Sequence, residues 1–419
     1  MPPLAGRQLQ ARTVIVGGGF AGLATAASLA ERGERDTVLL EAASVGHGAS
    51  GRNGGFVFGG FSLEPEDLLR QIGAPAARSL YAATREAVAL IRARIAAHGI
   101  ACDAVEGGAL WLDWFNSPAS RQAMAARQTL LQEQFGVCWQ PVGPQQVRQW
   151  LQTERYGGAL LERDALHFHP LVYARGLAAA LHEQGVQVLE RSGAMRIEAE
   201  PTRPGSSDSR WRVHTACGGS VCAERVLVAG GGYLKRVLPA LEGARLPIAT
   251  YVVATEPLAD AQHPIRTPAA LYDNRFAFDY YRRTVDDRIL WGGRISILQR
   301  DSRRIAHLLK RDLLRVFPQL QGVRLTHAWG GLMSYARHQM PQIGQLAPGL
   351  WYAQAFGGHG VAPTTLAGEW LAEAMQGTDL PQALQRYGLS SVFGAAGLLA
   401  AQARYSWAEL RDTLKDERR

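Results

Sequence analysis

Thr13-Val14-Ile15-Val16-Gly17-Gly18-Gly19-Phe20-Ala21-Gly22-Leu23-Ala24 decides the fold. The first four residues are a short apolar, mostly β-branched run, the pattern of a buried strand. Glycines spaced Gly17-x-Gly19-x-x-Gly22 follow at once. An alanine- and leucine-rich stretch over residues 23–32 predicts a helix that stops at Gly33. A second strand, Thr37-Val38-Leu39-Leu40, closes on Glu41, near the ~20-residue spacing expected of an acid that accepts from ribose hydroxyls. The unit reads β-α-β. Its first glycine permits a tight turn, its second lets a pyrophosphate approach the backbone, and its third lets helix and strand pack closely. The free N–H groups and dipole of the helix start then favour a phosphate.

Outward from this unit, Gly48-Ala49-Ser50-Gly51-Arg52-Asn53-Gly54-Gly55 follows the second strand. A loop of small residues with a hydroxyl, an arginine and an amide suits close packing against a dinucleotide. No second Gly-x-Gly-x-x-Gly occurs: Gly230 and Gly232 are followed by Lys235. That argues against a separate NAD(P)H domain. Helical spacing appears over residues 79–98, 120–135, 171–184, 302–316 and 363–375, and residues 246–298 alternate like strands. The stretch 201–209, rich in Pro, Gly and Ser, reads as a surface loop.

The expected fold is α/β plus α+β: a Rossmann-like nucleotide-binding domain interleaved with a substrate domain on an antiparallel sheet. The former would comprise residues 1–63, 160–240 and 326–395, the latter 64–159 and 241–325, with a helical tail over 396–419.

Composition narrows the function. The chain has 419 residues, 47% hydrophobic and 20% charged, an ordinary globular balance. No apolar run is long enough to span a bilayer, and the start lacks a signal-peptide pattern, so a cytoplasmic protein is expected. The net charge is +8, and only Lys235, Lys310 and Lys415 among 45 basic residues are lysine, a bias that reads as codon usage. The basic pairs are scattered, against a nucleic-acid surface. Four cysteines form no secreted disulfide framework, and Cys217 and Cys222 bracket a hairpin turn rather than a redox centre. His167 and His169 lack companion ligands and read as a turn before Pro170; no metal is expected.

Beyond the glycine loop, Glu41 and Gly48 to Gly55, the chain carries His167-Phe168-His169-Pro170-Leu171, Asp279-Tyr280-Tyr281-Arg282, Trp291-Gly292-Gly293 and Ala328-Trp329-Gly330-Gly331. It then carries Pro341-Gln342-Ile343-Gly344 and Gly357-Gly358-His359-Gly360-Val361. Together these resemble the FAD-dependent D-amino acid oxidase superfamily, nearest its γ-glutamylputrescine oxidase and L-pipecolate oxidase branch. The resemblance implies FAD and oxidation of a carbon–nitrogen bond by hydride transfer to flavin N5. Dioxygen would take the electrons and leave as hydrogen peroxide.

It further implies that Gly17, Gly19, Phe20, Ala21 and Gly22 cradle the pyrophosphate, and that Glu41 and Ala42 hold the adenosine ribose. Ser50, Arg52, Asn53, Gly54 and Gly55 would lie near pyrophosphate and flavin, with Gly331 beside them. Ala194 would meet adenine, and Ala229 and Gly230 would close over the dinucleotide. Gly357, Gly358, His359, Gly360 and Val361 would face the flavin pyrimidine. Tyr251, Tyr281 and Arg282 are candidates for the substrate wall, the arginine for a substrate carboxylate, and His359 for a base or a shaper of the flavin loop.

Two departures matter. N-methyl amino acid oxidases of this superfamily carry a carboxylate-binding lysine where this chain has Ala362. They also attach flavin through a cysteine near 328–335, and none stands there, so noncovalent FAD is expected. Rival readings are an L-pipecolate or other cyclic imino acid oxidase, a quinone-linked dehydrogenase at a membrane surface, a tRNA-modifying flavoprotein and a non-catalytic flavin subunit.

Overall fold

The structure, a computed structural model, describes residues 1–200 and 210–416; the loop expected at 201–209 and the last three residues lie outside the described part. The decisive stretch forms the strand Gln8–Val16, the helix Phe20–Glu31 and the strand Thr37–Leu40. All four residues of Thr37–Leu40 are buried, because this strand lies inside a sheet covered on both faces. Arg32 is the helix C-cap, and Gly33 takes φ +86°, the left-handed conformation that closes a helix.

An eight-stranded sheet grows around this unit. Leu350–Gln354, Ser220–Val228, Gln8–Val16, Thr37–Leu40 and Gln187–Leu189 lie side by side and parallel. Gln342–Ala347 adds one edge antiparallel. The hairpin Ala194–Ala199 with Trp211–Thr215 pairs onto Ser220–Val228. The turn before Ser220 holds Cys217, and all four cysteines are free.

The helices Phe20–Glu31 and Val361–Met375 cross at very close range. A Cβ on Gly368 would lie 2.6 Å from the Ala24 carbonyl carbon, so only glycine admits this approach. The long helix Ala74–Ala97 packs against the same pair. Its Arg94, buried, reaches Glu31 on one helix and Glu369 on the other at 2.7 and 2.8 Å.

The second eight-stranded sheet runs in the order Leu325–Tyr335, Leu246–Thr255, Ile289–Ser296, Tyr280–Arg283, Ala270–Asp273, Ala109–Leu112, Ala159–Glu162 and Gln140–Val142. All its pairings are antiparallel except Ala270–Asp273 with Ala109–Leu112. Leu325–Tyr335 and Ala159–Glu162 belong here, so the expected boundaries at 326 and 160 fall inside strands of this sheet. Those segments return to the first sheet only after Tyr335 and Glu162. Side chains alternate between the two faces. One face carries Leu110, Leu271, Tyr281, Trp291, Val253 and Tyr251, sealed against the helix Ser302–Val316. The other face looks toward the first sheet. The tail is the helix Gly394–Asp416, packed on this sheet. No helix among the described residues is long and apolar enough to cross a membrane.

Candidate active site

Strand ends explain where the site lies. Gly17, Glu41, Ala229 and Ala355 each directly follow a parallel strand of the first sheet, so all gather at its carboxyl edge, where open α/β sheets bind their ligands. The helices Phe20–Glu31 and Val361–Met375 both begin there, with Gly19 and Gly360 as N-caps. Two helix starts point their first-turn N–H groups and positive dipole ends to the same space.

At Gly17 and Gly22 the cradle admits glycine alone. Gly17 has φ +117°, and a Cβ on it would stand 2.6 Å from Ala229 O. A Cβ on Gly22 would stand 2.0 Å from Gly17 O, and one on Gly19 would stand 3.0 Å from Ser50 Oγ. Phe20 and Ala21 open the helix, and Phe20 N–H donates to Ser50 Oγ at 2.9 Å. The Glu41 carboxylate accepts from Gly18 N–H at 2.8 Å and from Ala43 N–H at 2.9 Å, which fixes it beside the loop. Ala42 meets Gly193 closely, so Ala194 stands on the same side as Glu41. Ala229 N–H donates to Val16 O at 2.8 Å, which locks Ala229 and Gly230 over the turn. These surfaces, a bare backbone turn flanked by an acid and two helix starts, fit a dinucleotide.

Residues 50–55 are more structural than the sequence suggests. Asn53 donates to Ala49 O and Ser50 O, and Gly55 N–H donates to its Oδ1, so its amide closes its own turn. Arg52 donates to His47 O at 2.6 Å and Gly330 O at 3.0 Å, and a Cβ on Gly331 would come within 3.3 Å of it. Gly55 packs on Phe168 O.

Three candidates for the substrate wall are corrected. Tyr251 and Tyr281 are fully buried on the face covered by Ser302–Val316, away from the first sheet. Tyr251 donates to Leu298 O. Tyr281 stacks on Trp291 and donates to Tyr156 Oη at 2.8 Å. Arg282 faces the first sheet but reaches no open space. It donates to Gly54 O at 2.8 Å and Phe168 O at 2.9 Å, and burial without a paired carboxylate brings it down to about 10. It is a strut between sheet and loop.

His359 lies in the expected loop and acts there as a pin. Its Nε2 is 2.8 Å from Gly59 O, and a carbonyl only accepts, so Nε2 carries the proton. Burial lowers its pKa to about 4, so the ring is neutral. Gly357 has φ +66°, and its N–H donates to Ser334 O. Cβ atoms on Gly357 and Gly358 would meet Ser62 and Tyr335. Gly360 and Val361 start the helix.

Toward the first sheet, the second sheet presents a wall of aromatic side chains instead. Tyr280 contacts Phe56 edge-on at 5.6 Å, Phe58 stacks on Tyr272 at 5.6 Å, and Phe278 meets both Tyr272 and Tyr280. His359 abuts Phe58 at 4.3 Å, so the aromatic wall touches the 357–361 loop. Tyr280 and Tyr272 are cross-strand partners on one face and Tyr281 lies on the other; strand alternation separates the two faces but does not say which one a helix covers. Glu162, in the same sheet, is buried, and burial raises its carboxyl to about 8.

The other candidates are peripheral. His167 Nε2 bonds Pro268 O at 2.9 Å, and His169 Nδ1 caps the helix Pro170–Glu183. Burial works to raise the Cys217 thiol, but hydrogen bonds from Thr215, Ser192 and nearby main chain bring it down to about 7. Among the described residues no cluster of three metal-ligating side chains occurs.

Comparison with known proteins agrees with this geometry. The FAD dependent oxidoreductase family, DAO, matches residues 12–374. The gamma-glutamylputrescine oxidoreductase of Escherichia coli (strain K12) is 36% identical over 374 residues, covering 87% of this chain and 83% of that protein. A probable oxidoreductase OrdL of Haemophilus influenzae is 31% identical over 393 residues, covering 90% and 85%. The glycine oxidase of Geobacillus kaustophilus shares the fold at TM-score 0.73 and 20% identity, over 91% of this chain and 99% of that one. The L-proline dehydrogenase of P. horikoshii does so at 0.71 and 17%, over 93% and 100%. Glycine cradle, paired helix starts and family match converge: the chain belongs to the FAD dependent oxidoreductase family and is an FAD-dependent amine or amino acid oxidoreductase.

Proposed function

We propose that this oxidoreductase acts on the terminal amine of an aliphatic substrate of the γ-glutamylputrescine kind, with dioxygen as electron acceptor. The observation that carries the reading is the wall itself: five aromatic side chains, with Arg282 and Arg52 both committed to main-chain carbonyls. A buried carboxylate beside the reacting carbon would lack its cation there. Ala362 supplies none, being buried in the first turn of its helix. An alkylamine whose carboxylate lies far from the reacting carbon suits such a wall, and the name of the Escherichia coli relative is of that class.

FAD, held noncovalently by the glycine cradle, supplies the two-electron acceptor. Gly357 to Val361 would bind its pyrimidine side through main-chain N–H groups, where a helix start favours added negative charge. The aromatic wall excludes water and favours the neutral amine, the form able to be oxidised. His359 orients the loop and holds its proton on Nε2 throughout. The balance is one amine and one dioxygen to one imine and one hydrogen peroxide; water then converts the imine to aldehyde and ammonia.

The test is anaerobic bleaching of the yellow holoenzyme by γ-glutamylputrescine, L-pipecolate, D-amino acids and sarcosine in turn. Bleaching by the first alone, reversed by air with stoichiometric peroxide, is expected. Bleaching by an α-amino or imino acid instead would overturn the substrate reading. Reoxidation by a quinone but not by air would overturn the acceptor. Flavin remaining on the protein after acid precipitation would overturn noncovalent binding.

A further inference from the structure

We infer that the outward face of the helix Gly394–Asp416 docks on an anionic lipid surface. Four large apolar side chains stand in solvent along it: Leu399 at 65% exposure, Trp407 at 66%, Leu410 at 50% and Leu414 at 47%. Their spacing places them on one stripe of an α-helix, with exposed Ala403 filling the gap. Isolated exposed hydrophobes are ordinary, but a continuous stripe on one helix is the mark of a contact surface.

The charges of the helix are sorted by face. It carries three bases and three acids. Arg404, Arg411 and Lys415 are exposed and follow one flank of the stripe, Lys415 also lying over the Phe115 ring. The acids turn inward. Asp412 accepts from Phe276 N–H at 2.7 Å, Asp416 pairs with Arg155 and Arg315, and Glu409 is half-buried beside them. A helix neutral in sequence therefore shows solvent an apolar stripe bordered only by positive charge. That is the arrangement of helices lying in the headgroup region of acidic bilayers.

Charge also decides against a second copy of the chain. An antiparallel pairing of two such stripes would set the Arg404–Arg411–Lys415 flank against itself. A parallel pairing would set it against the opposite flank, where Ser406 and Thr413 carry no charge. Neither brings an acid to a base, whereas lipid phosphates do. On its inner side the helix meets the segment that leads to Phe278: Tyr405 lies 5.8 Å from the Phe276 ring.

Holoenzyme is sedimented with phosphatidylcholine vesicles and with vesicles also containing phosphatidylglycerol. Binding to the second and not the first is expected, weakening as salt rises. Arg404→Gln with Arg411→Gln should weaken it about fivefold per charge removed. Trp407→Ser with Leu410→Ser should abolish it, with flavin absorbance and thermal midpoint kept, because both side chains are exposed. No binding to acidic vesicles, or binding indifferent to these variants, would overturn the inference. So would a dimer in solution that Trp407→Ser converts to monomer, which would assign the stripe to a second copy.

Discussion

Tyr280 and Tyr281 are neighbours in one strand and serve opposite sides of the second sheet. Tyr281 stacks on Trp291 at 4.3 Å, with an interplanar angle of 8°, inside the core closed by Ser302–Val316. Tyr280 lies flat on the other face, where Cβ atoms on Gly292 and Gly54 would come within 2.0 and 2.7 Å of its ring. Two glycines, one from each half of the molecule, thus shape the slot that holds it.

This relationship separates stability from catalysis. Tyr281→Phe removes the bond to Tyr156 and should cost about 1 kcal/mol in urea unfolding, leaving the rate of anaerobic flavin reduction unchanged. Tyr280→Ala should slow that reduction about tenfold or more, since it opens the wall that orients the amine. Equal kinetic effects of the two variants would defeat the two-face assignment.

Gly17→Ala tests the cradle. The added methyl would meet Ala229 O at 2.6 Å in a backbone conformation that disfavours any side chain. The variant should purify colourless, with a low ratio of flavin to protein absorbance, and gain little thermal stability from added FAD. A yellow variant with the wild-type ratio would place the dinucleotide elsewhere.

Arg94 ties three helices together and touches no part of the site. It donates to Glu31 and Glu369, whose carboxylates keep some solvent, and Glu369 also holds Arg32. Arg94→Ala should lower unfolding free energy by about 3 kcal/mol, the low end for a broken buried pair. Arg94→Met should recover part of this by keeping the stem's packing. A loss below about 1 kcal/mol in urea titration would show that packing alone holds the helices.

His167 predicts an acid dependence with a definite sign. Burial, helped by the Arg282 charge, lowers its pKa to about 4 from an ordinary 6.5. Between these values the unfolded chain binds the proton and the folded one does not, so the histidine's contribution to stability falls as pH drops from 6.5 to 4. Glu162, raised by burial to about 8, and Asp279, also raised by burial, act with the opposite sign above their ordinary range. The wild-type curve alone is therefore ambiguous. The difference in unfolding free energy between wild type and His167→Gln isolates the histidine: wild type should lose ground to the variant as pH falls. A constant difference would mean that the folded histidine titrates normally.

The sequence by itself determined the β-α-β unit, the glycines that must be glycines, Glu41 and the family. These follow from local rules: strand sterics, helix stops and backbone approach act over a few residues, and the motif spacing records them. It also carried the helices over residues 302–316 and 363–375 to within two residues of their ends. Only the tertiary structure decided which face of the second sheet turns toward the first sheet and which is covered by a helix. A strand shows its two-residue period but not which parity is covered by a helix contributed elsewhere in the chain, so Tyr281 could not be told from Tyr280. The same holds for Arg282, an apparent carboxylate clamp until Gly54 and Phe168 are brought to it from more than a hundred residues away. Long-range packing chooses the partner of each polar group, and the partner determines what that group does.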